Sequence, residues 1–414
     1  MTAIPMQAAR RDVAVISVIG VAHGLSHFLQ LAMPTLFLSI RHDWGISFAQ
    51  LGLASTLFFV ASGICQTIAG FAVDRCGARP VLYSGVALMS GGVGLMGLAP
   101  NFEALLVCSV IAGIGNSMFH PADYGILNAS VSTQRLGPAF SVHGIAGNIG
   151  WALAPPVMTA FALWFGGWRG ALIGAGVVGF MVLALVVAKS ELFEPLPESA
   201  GDAAARRAPA AGAAVLLSTP ILMCFLFFML LAAGLIGVQT FGMPILSQTY
   251  GMSAQAAAAA LTAFLLASGV GVLCGGALTT RTTHHEHVAA LGMALAALCV
   301  ASIAALGPPL WAIPGFLAAA GFFSGLTNPS RDLLVRAAAP KGSTGKVYGF
   351  VYSGLDVGSA LAPAAFGWLL DHGQGSGVIY AVGALWLATI GSIYVMQAAT
   401  SGRAWLHGPH DPTR

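Results

Sequence analysis

The chain has 414 residues, of which 57% are hydrophobic and only 7% are charged, and its mean hydropathy is +0.84. A soluble domain carries about 25% charged residues, so this composition excludes a soluble domain and places the chain in a membrane. The net charge of +3 gives no indication of a nucleic-acid partner.

Twelve apolar stretches follow one another along the chain, each about as long as the 20 or so residues that a helix needs to cross a bilayer. The first is too long and contains too many histidines for a cleaved signal peptide. The predicted spans lie near residues 13–40, 47–72, 80–99, 103–131, 138–163, 168–188, 219–247, 254–279, 288–306, 310–337, 345–370 and 376–398.

Basic residues predict the orientation of these spans. If the N-terminus is cytoplasmic, only Arg41 and Arg169 of the 17 Lys and Arg residues fall in outer loops. Such a bias predicts both termini in the cytoplasm, in a multi-pass protein of a bacterial inner membrane. The residues on the predicted cytoplasmic side are Arg10, Arg11, Arg75, Arg79, Arg135, Lys189, Arg206, Arg207, Arg281, Arg331, Arg336, Lys341, Lys346, Arg403 and Arg414.

An internal repeat connects the two halves of the sequence. At an offset of 208 positions Gly113 falls on Gly321, Pro121 on Pro329 and Gly150 on Gly358. Matches of Gly and Pro are informative in so apolar a chain because each residue constrains the backbone. Duplication of this kind is common in secondary transporters, whose substrate site lies between the two repeats.

The repeat and one polar segment divide the chain. Residues 189–218 contain several acidic and basic residues and three prolines, which is typical of a linker. We therefore predict a six-helix half over 1–188, a cytoplasmic linker over 189–218, a second six-helix half over 219–398 and a cytoplasmic tail over 399–414. The fold class is all-α, with twelve transmembrane helices in two pseudo-symmetric halves.

Three segments resemble those of a known family. The turn after span 2 reads Gly70-Phe-Ala-Val-Asp74-Arg75-Cys-Gly77-Ala-Arg79, span 5 contains Gly144-x-x-Gly147-x-x-Gly150-x-x-x-x-Pro155, and Gly167-Trp-Arg precedes span 6. The first resembles the loop signature of the major facilitator superfamily, and the second is similar to the antiporter motif of that superfamily. The resemblance covers all twelve spans and implies the major facilitator fold.

Two histidine-containing segments resemble a narrower group within this superfamily. They are His23-Gly-Leu-Ser-His27 in span 1 and Gly113-x-Gly115-Asn-Ser-Met-Phe119-His120-Pro121 in span 4. Both are similar to the fosmidomycin-resistance efflux group, and this resemblance implies export.

The turn after span 2 also has a physical interpretation of its own. Asp74 can meet the donors at a neighbouring helix N-terminus, and Gly77 permits a tight turn. Arg75 and Arg79 can pair with carboxylates or lipid phosphates. We predict that Gly70, Asp74, Arg75, Gly77 and Arg79 form a conformational latch, which holds this turn against the rest of its half in one conformation only. The alternative is a basic turn whose only role is to orient the spans in the membrane.

Polar residues within the spans are the candidate functional residues, because ionisable groups at membrane depth are costly and usually line a pathway. Spans 3, 6, 9 and 12 have no charged residue in their apolar interiors, which is consistent with a position at the periphery. The resemblance implies that spans 1, 4, 7 and 10 line the cavity. The predicted substrate and proton pathway comprises His23, His27, Gln30, His120, Asp123, His143, Asn148, Gln239, Asn328, Arg331, Asp332 and Asp356.

Some of these candidates have explicit alternatives. Asp356 lies near the middle of span 11 and could exchange a proton as the cavity opens; alternatively it is a packing residue bonded to Ser353 or another hydroxyl. Asp123, Arg331 and Asp332 lie nearer the cytoplasmic ends of spans 4 and 10, where a gating ion pair and contact with substrate are equally compatible with the pattern. One possible pair is Arg331 with Asp123.

We predict no metal site and no cofactor. His23 and His27 lie on one helical face, but no Glu stands between them as in a zinc-protease helix. A role in proton relay or in substrate contact therefore fits His23 and His27 better than metal binding does. The alternative is that both are buried, hydrogen-bonded structural histidines. Neighbouring residues on a short turn are not expected to converge on a metal, and this applies to His284, His285, Glu286 and His287.

The sequence as a whole predicts a secondary transporter that works by alternating access, and not an enzyme. No phosphate-binding loop with Lys is present to suggest ATP hydrolysis. The expected partners are a small-molecule substrate, protons and the lipid bilayer, and the expected state is a monomer. Proton-coupled efflux of a small polar or drug-like compound is favoured, and proton-coupled uptake of an organic anion or metabolite is the alternative.

Overall fold

The computed structural model describes residues 6–194, 216–339 and 344–406, and in these residues all regular structure is helical. Two short 3-10 turns cover Thr133–Arg135 and Ser190–Phe193. The α-helices are α1 Met6–Thr35, α2 Phe37–Trp44, α3 Phe48–Cys76, α4 Ala78–Met96, α5 Phe102–Ser117, α6 Phe119–Ser130, α7 Leu136–Trp164, α8 Trp168–Ala188, α9 Thr219–Gln239, α10 Gly242–Tyr250, α11 Ala254–Thr279, α12 His285–Leu306, α13 Ile313–Ala338, α14 Thr344–Asp371 and α15 Gly375–Leu406.

All twelve predicted spans are helical. Nine stretches of the described residues are long and apolar enough to cross a membrane, and the remaining predicted spans correspond to α4, α13 and α14. The last helix continues to Leu406, so the predicted tail begins within α15. Most of the predicted linker lies outside the described residues, and the division of the chain into two domains stays a prediction.

Spans 1, 4 and 7 each consist of two consecutive helices. The interruptions fall at Leu36, at Met118 and at Thr240–Phe241, and a proline lies near each one: Pro34, Pro121 and Pro244. A proline inside a helix removes a hydrogen bond and displaces the preceding turn, whereas a proline in the first turn is tolerated. The sequence shows that these spans contain prolines. It does not show that a helix ends near each of them.

Two equivalent glycines show the repeat in three dimensions. A Cβ atom on Gly113 would collide with the carbonyl oxygen of Phe58, and a Cβ atom on Gly321 would collide with that of Phe264. Each glycine therefore lets the fourth span of its half lie directly against the second. The same backbone approach occurs in both halves.

A second pair of glycines repeats the pattern between the first and fifth spans of each half. Gly150 of α7 lies against the carbonyl oxygen of Gly24, and Gly358 of α14 lies against that of Met229. Both contacts are too close for any side chain. Small residues commonly permit such close helix packing in membranes.

Gly150 and Gly144 belong to the same glycine motif but differ in their surroundings, which provides a test. Gly150→Val should lower the free energy of unfolding by about 1–3 kcal/mol, the usual effect of overpacking, because the new methyl groups would meet Gly24. A Cβ atom on Gly144 would meet no heavy atom of the described residues within 4 Å. Thermal unfolding in detergent should therefore show a lower midpoint for Gly150→Val than for Gly144→Val, and equal midpoints would contradict this packing.

The two halves are joined by α3 against α14 and by α7 against α11. The Thr56 hydroxyl donates to the Ala360 carbonyl at 2.8 Å, and the Thr262 hydroxyl donates to the Ala152 carbonyl at 3.3 Å. The acceptors Ala152 and Ala360 are equivalent in the repeat, at an offset of 208 positions, and the donors Thr56 and Thr262 lie on the equivalent helices α3 and α11 at an offset of 206. A pseudo-twofold relation therefore governs the interface as well as the halves.

Further contacts between the halves gather at one end of the bundle, which we term the distal face because α1 begins at the opposite, proximal face. The Asp371 carboxylate accepts the backbone N–H groups of Phe48 and Ala49, both at 2.8 Å. Arg41 Nη2 lies 3.9 Å from Asp371, and Arg41 Nη1 donates to Gln248 at 3.1 Å. Asp371 thus caps the N-terminus of a helix in the other half.

Candidate functional site

Four histidines and one aspartate form a compact cluster inside the first half. α1 contributes His23 and His27, α6 contributes His120 and Asp123, and α7 contributes His143. The spacing of His23 and His27 predicts a shared helical face, and their ring centroids are 4.5 Å apart. Residues that are distant in sequence are brought together because the interruption at Met118 and the close packing of α1 on α7 place the three helices side by side.

Asp123 lies at the centre of this histidine cluster. Its Oδ2 atom lies 3.1 Å from His143 Nε2 and 3.2 Å from His23 Nδ1. The rings of His23 and His143 stack with centroids 3.5 Å apart, and His120 lies 5.2 Å from His23. Asp123, His23 and His143 are 0%, 2% and 3% exposed, so a charge on the carboxylate would have to be compensated by the imidazoles.

The glycine motif of α7 provides space for these rings. A Cβ atom on Gly147 would lie 3.0 Å from His23 Nε2 and 3.1 Å from His27 Cε1. Gly150, one turn further along, lies directly on the backbone of Gly24. The motif that resembles an antiporter signature therefore shapes the histidine cluster in this chain.

Trp151 extends the cluster, although the sequence analysis does not include it. Its ring lies 4.1 Å from that of His27, and its Nε1–H donates to Gln30 Oε1 at 2.6 Å. The spacing of His143, Gly147 and Trp151 at steps of four places them on one helical face. That spacing is the signal that could have identified Trp151.

Tyr124 separates the cluster from the accessible surface. Its ring stacks on His120 with centroids 6.0 Å apart and lies 5.1 Å from that of His143, yet Tyr124 itself is 42% exposed. It lies on α6, which leads from the cluster to the proximal face. The histidines are therefore one side chain away from an accessible surface of the bundle.

Asp356 lies apart from the histidine cluster, at the interface between the halves. A Cβ atom on Gly63 of α3 would lie 3.2 Å from Asp356 Cβ. The Ser353 hydroxyl donates to the carbonyl of Phe350, and the role of Asp356, in proton exchange or in helix packing, stays a prediction. Asn148, its repeat equivalent, donates to the carbonyl of Gly144 in its own helix and also lies near the other half, 3.8 Å from a Cβ on Gly269.

Of the three residues considered for an ion pair near the cytoplasmic ends of spans 4 and 10, Arg331 pairs with Asp332 and not with Asp123. Arg331 Nη2 lies 3.0 Å from Asp332 Oδ1 and its guanidinium lies 4.4 Å from the Phe228 ring centroid. Tyr352 donates to the same Asp332 oxygen at 3.1 Å. Each residue therefore has its partners within its own half. Asp123 contacts histidines, and Arg331 pairs with Asp332.

Two predicted glutamines, one from each half, line the same small cavity. Gln30 of α1 and Gln239 of α9 line it together with Pro34, Phe58 and Phe59. The cavity is mainly apolar and lies distal to the histidine cluster. Asn328, also predicted, lies half-buried on α13.

The prediction that His284, Glu286 and His287 would not converge is wrong. Glu286 Oε1 lies 3.5 Å from His284 Nδ1 and 3.8 Å from His287 Nδ1, because the helix start at His285 turns these neighbours toward one another. Both histidines are exposed, so water competes for their ring nitrogens. The group lies at the proximal surface, far from the buried cluster.

The predicted latch residues surround the turn between α3 and α4. Gly77 has φ +84°, a conformation that side chains disfavour, and it begins α4. Arg79 Nε donates to the carbonyl of Phe193 at 3.2 Å, while Asp74 and Arg75 are exposed. Within the part of the chain that the structure describes, open space surrounds the Cβ position of Gly70 to 4 Å, and the role of this turn as a latch stays a prediction.

Substitutions in this turn should impair transport through the conformational equilibrium. Asp74→Asn removes the charge, and Gly77→Val places a β-branched side chain at a positive φ, at a cost of about 1–3 kcal/mol. Either change should lower the transport rate severalfold while leaving substrate affinity near that of the unmodified protein, since neither residue is near the cavity. A normal turnover number in both variants would count against the latch.

Two aspartates make contacts at the ends of the bundle, Asp12 at the proximal end and Asp371 at the distal end. Neither is among the predicted site residues. Asp12 accepts from the Ser132 hydroxyl and lies 3.8 Å from Arg135, which fixes the proximal end of α1. Asp371 caps α3 from the other half. Both lie at span boundaries, where the prediction places loops, so only contacts in three dimensions reveal them.

Comparison with known proteins agrees with this architecture. The profile described as Major Facilitator Superfamily matches residues 16–243 and 230–404. The chain is 26% identical to the Fosmidomycin resistance protein of Escherichia coli K12 over 88% of both chains. It is 27% identical to the Uncharacterized MFS-type transporter YfnC of Bacillus subtilis 168, over 85% of this chain and 84% of that protein.

A solved structure has the same fold. A bacterial homolog of the human lysosomal transporter Spinster, crystallised in an inward-facing and occupied conformation, has a TM-score of 0.74. The match covers 97% of this chain and 99% of that one at 16% identity. The predicted fold class is therefore confirmed, and the chain belongs to the major facilitator superfamily of multi-pass membrane transporters.

Proposed function

We propose that this protein is a secondary transporter that works by alternating access and exports a small polar or drug-like compound in exchange for protons. The observation that carries the proposal is the arrangement of the interface. Contacts through Asp371 and Arg41 tie the halves together at the distal face, whereas the buried polar cluster lies beside the partly exposed Tyr124 of α6, the helix that leads to the proximal face. If the two halves rock against each other, the distal face would open and the proximal face would close.

The distribution of basic residues supports a cytoplasmic proximal face. Arg75 lies in the last turn of α3 and Arg79 in the first turn of α4, Arg281 follows α11, and Arg336 lies in the last turn of α13. Under the positive-inside rule this end faces the cytoplasm, both termini are cytoplasmic, and the protein lies in a bacterial inner membrane. The conformation described is then the inward-facing one.

Asp356 is the residue that we assign to proton coupling. It lies where α3 and α14 meet, opposite Gly63, so its surroundings change whenever the halves move apart. A carboxylate in such a place can hold a proton in one conformation and release it in the other. The protein would do this as a monomer in the bilayer.

The residues around the centre of the bundle suggest the kind of substrate. Gln30 and Gln239 offer hydrogen-bond donors and acceptors from the two halves, and Phe58 and Phe59 offer apolar surface beside them. His27 and His120 are only partly buried, and His27 contacts Trp151, which donates to Gln30. This combination suits a small compound with both polar groups and an apolar part.

Efflux is favoured over uptake by the similarity to the Fosmidomycin resistance protein across most of both chains. Expression in a drug-sensitive bacterial host should therefore raise tolerance to fosmidomycin or another small polar inhibitor at least severalfold. His120→Ala should return tolerance toward that of the empty host, because it removes a polar contact from the interior.

The concentration of each inhibitor that stops growth, measured across a panel of inhibitors, tests this prediction. Glu103→Gln, a change at an exposed residue of the distal surface, is the matched control and should keep full tolerance. Unchanged tolerance across the whole panel, together with growth on a new organic acid as carbon source, would assign the protein to proton-coupled uptake.

A further inference from the structure

The histidine cluster has the composition of a metal site. One ring nitrogen from each of His23, His120 and His143 lies within 4.8 Å of those of the other two. Asp123 Oδ2 lies 3.1 Å and 3.2 Å from two of these rings. Three imidazoles and a carboxylate therefore surround one point in the interior of the first half.

Several polar atoms of the cluster have no hydrogen-bond partner within the described part of the chain. They include Nδ1 of His23, of His27 and of His120, and Oδ1 of Asp123. The His23 nitrogen is close to Asp123 Oδ2 but lies outside hydrogen-bond geometry. Buried polar atoms without a partner cost about 1–3 kcal/mol each, so a ligand that satisfies some of them would be stabilised.

The distances are compatible with a small divalent cation. Tetrahedral Zn²⁺ with bonds of about 2.0–2.1 Å has its ligand atoms roughly 3.3 Å apart, which is close to both separations measured from Asp123. The remaining nitrogens would have to move inward by about 1 Å. His120 can do so because it stands at the start of the short helix α6, directly after the interruption at Met118.

We propose that His23, His120, His143 and Asp123 bind one divalent first-row transition cation, with Zn²⁺ the best fit. Imidazole nitrogens select such ions over Mg²⁺ and Ca²⁺, which prefer oxygen ligands. The cation would join α1, α6 and α7 within one half. This proposal differs from the sequence analysis, which predicts no metal site, and it does not depend on the direction of transport or on proton coupling.

Titration of the purified, chelator-treated full chain tests the proposal. Calorimetry with Zn²⁺ should give one high-affinity site per chain, and Co²⁺ should develop the visible absorption of a tetrahedral complex. The thermal unfolding midpoint should rise when Zn²⁺ is added, since binding to the folded state stabilises it. His143→Gln should weaken Zn²⁺ binding by more than about 100-fold, because loss of even an outer partner of a metal ligand costs about 10- to 100-fold.

Two further variants make the result decisive. His120→Gln should weaken binding similarly, and it serves as the second test if His143→Gln does not fold. The double variant His284→Gln and His287→Gln is the matched control and should keep the high-affinity site. Absence of high-affinity binding in the unmodified chain would overturn the proposal, and so would binding that survives at the cluster variants but disappears in the surface control.

Discussion

Asp356→Asn is expected to abolish transport driven by a proton gradient. Asparagine has nearly the same shape as aspartate but cannot bind and release a proton. Asp356 lies at the interface of α3 and α14, against Gly63, where opening of the halves changes its surroundings. The rate of gradient-driven transport should fall by at least about tenfold, a change of about 1.4 kcal/mol in the activation free energy.

The same variant should still exchange substrate across the membrane when no gradient is applied. Exchange requires binding and the movement of the halves but no net proton transfer, so it separates a coupling defect from misfolding. Glu103→Gln, which removes an exposed carboxylate, should behave as the unmodified protein in both assays. Gradient-driven transport at an unchanged rate in Asp356→Asn would show that this residue has no part in coupling.

Asp371→Ala is expected to shift the protein toward states that are open at the distal face. Asp371 accepts two N–H groups at the start of α3 from the other half, and hydrogen bonds to a charged group contribute about 1.5–3 kcal/mol each. The carboxylate also favours the positive end of the helix dipole. Because about 1.4 kcal/mol corresponds to a factor of ten, loss of both hydrogen bonds should change the ratio of closed to open states by at least about 100-fold.

The distance between spin labels on the two halves measures this shift. Labels at His42→Cys and Gln374→Cys, both exposed distal residues, should separate in a larger fraction of molecules when Asp371→Ala is present in a background without the native cysteines. Asp43→Ala is the matched control, because Asp43 accepts from Trp168 within one half. An unchanged distance distribution in Asp371→Ala would show that the cap does not hold the distal face closed.

Much of the fold follows from the sequence because membrane-spanning helices are determined by local composition. Spans 168–188 and 254–279 coincide with α8 and α11 to the residue, since Ser253 caps one helix and Gly167, at a positive φ, precedes the other. The repeat is also visible in the sequence, because glycine and proline matches reflect backbone contacts that both halves need. Interruptions within spans are harder to predict, since a proline is compatible with a bend or a break.

The candidate site is only partly predictable. Ionisable residues inside apolar spans stand out, so composition alone identifies His23, Asp123 and Asp356. It does not identify their partners, because helix packing determines which faces meet. The sequence allows Asp123 to pair with Arg331, whereas the structure places it among histidines of α1 and α7. Asp371 escapes prediction because its function arises from a contact between the two halves.

The central claim is that a proton gradient drives a small compound out of the cytoplasm through this chain, and transport into inverted membrane vesicles tests it most directly. Vesicles with an acidic interior that contain the protein should accumulate a labelled compound to which it confers tolerance, and a protonophore should abolish that accumulation. Accumulation that persists with the protonophore, or that does not exceed that of vesicles lacking the protein, would contradict the claim.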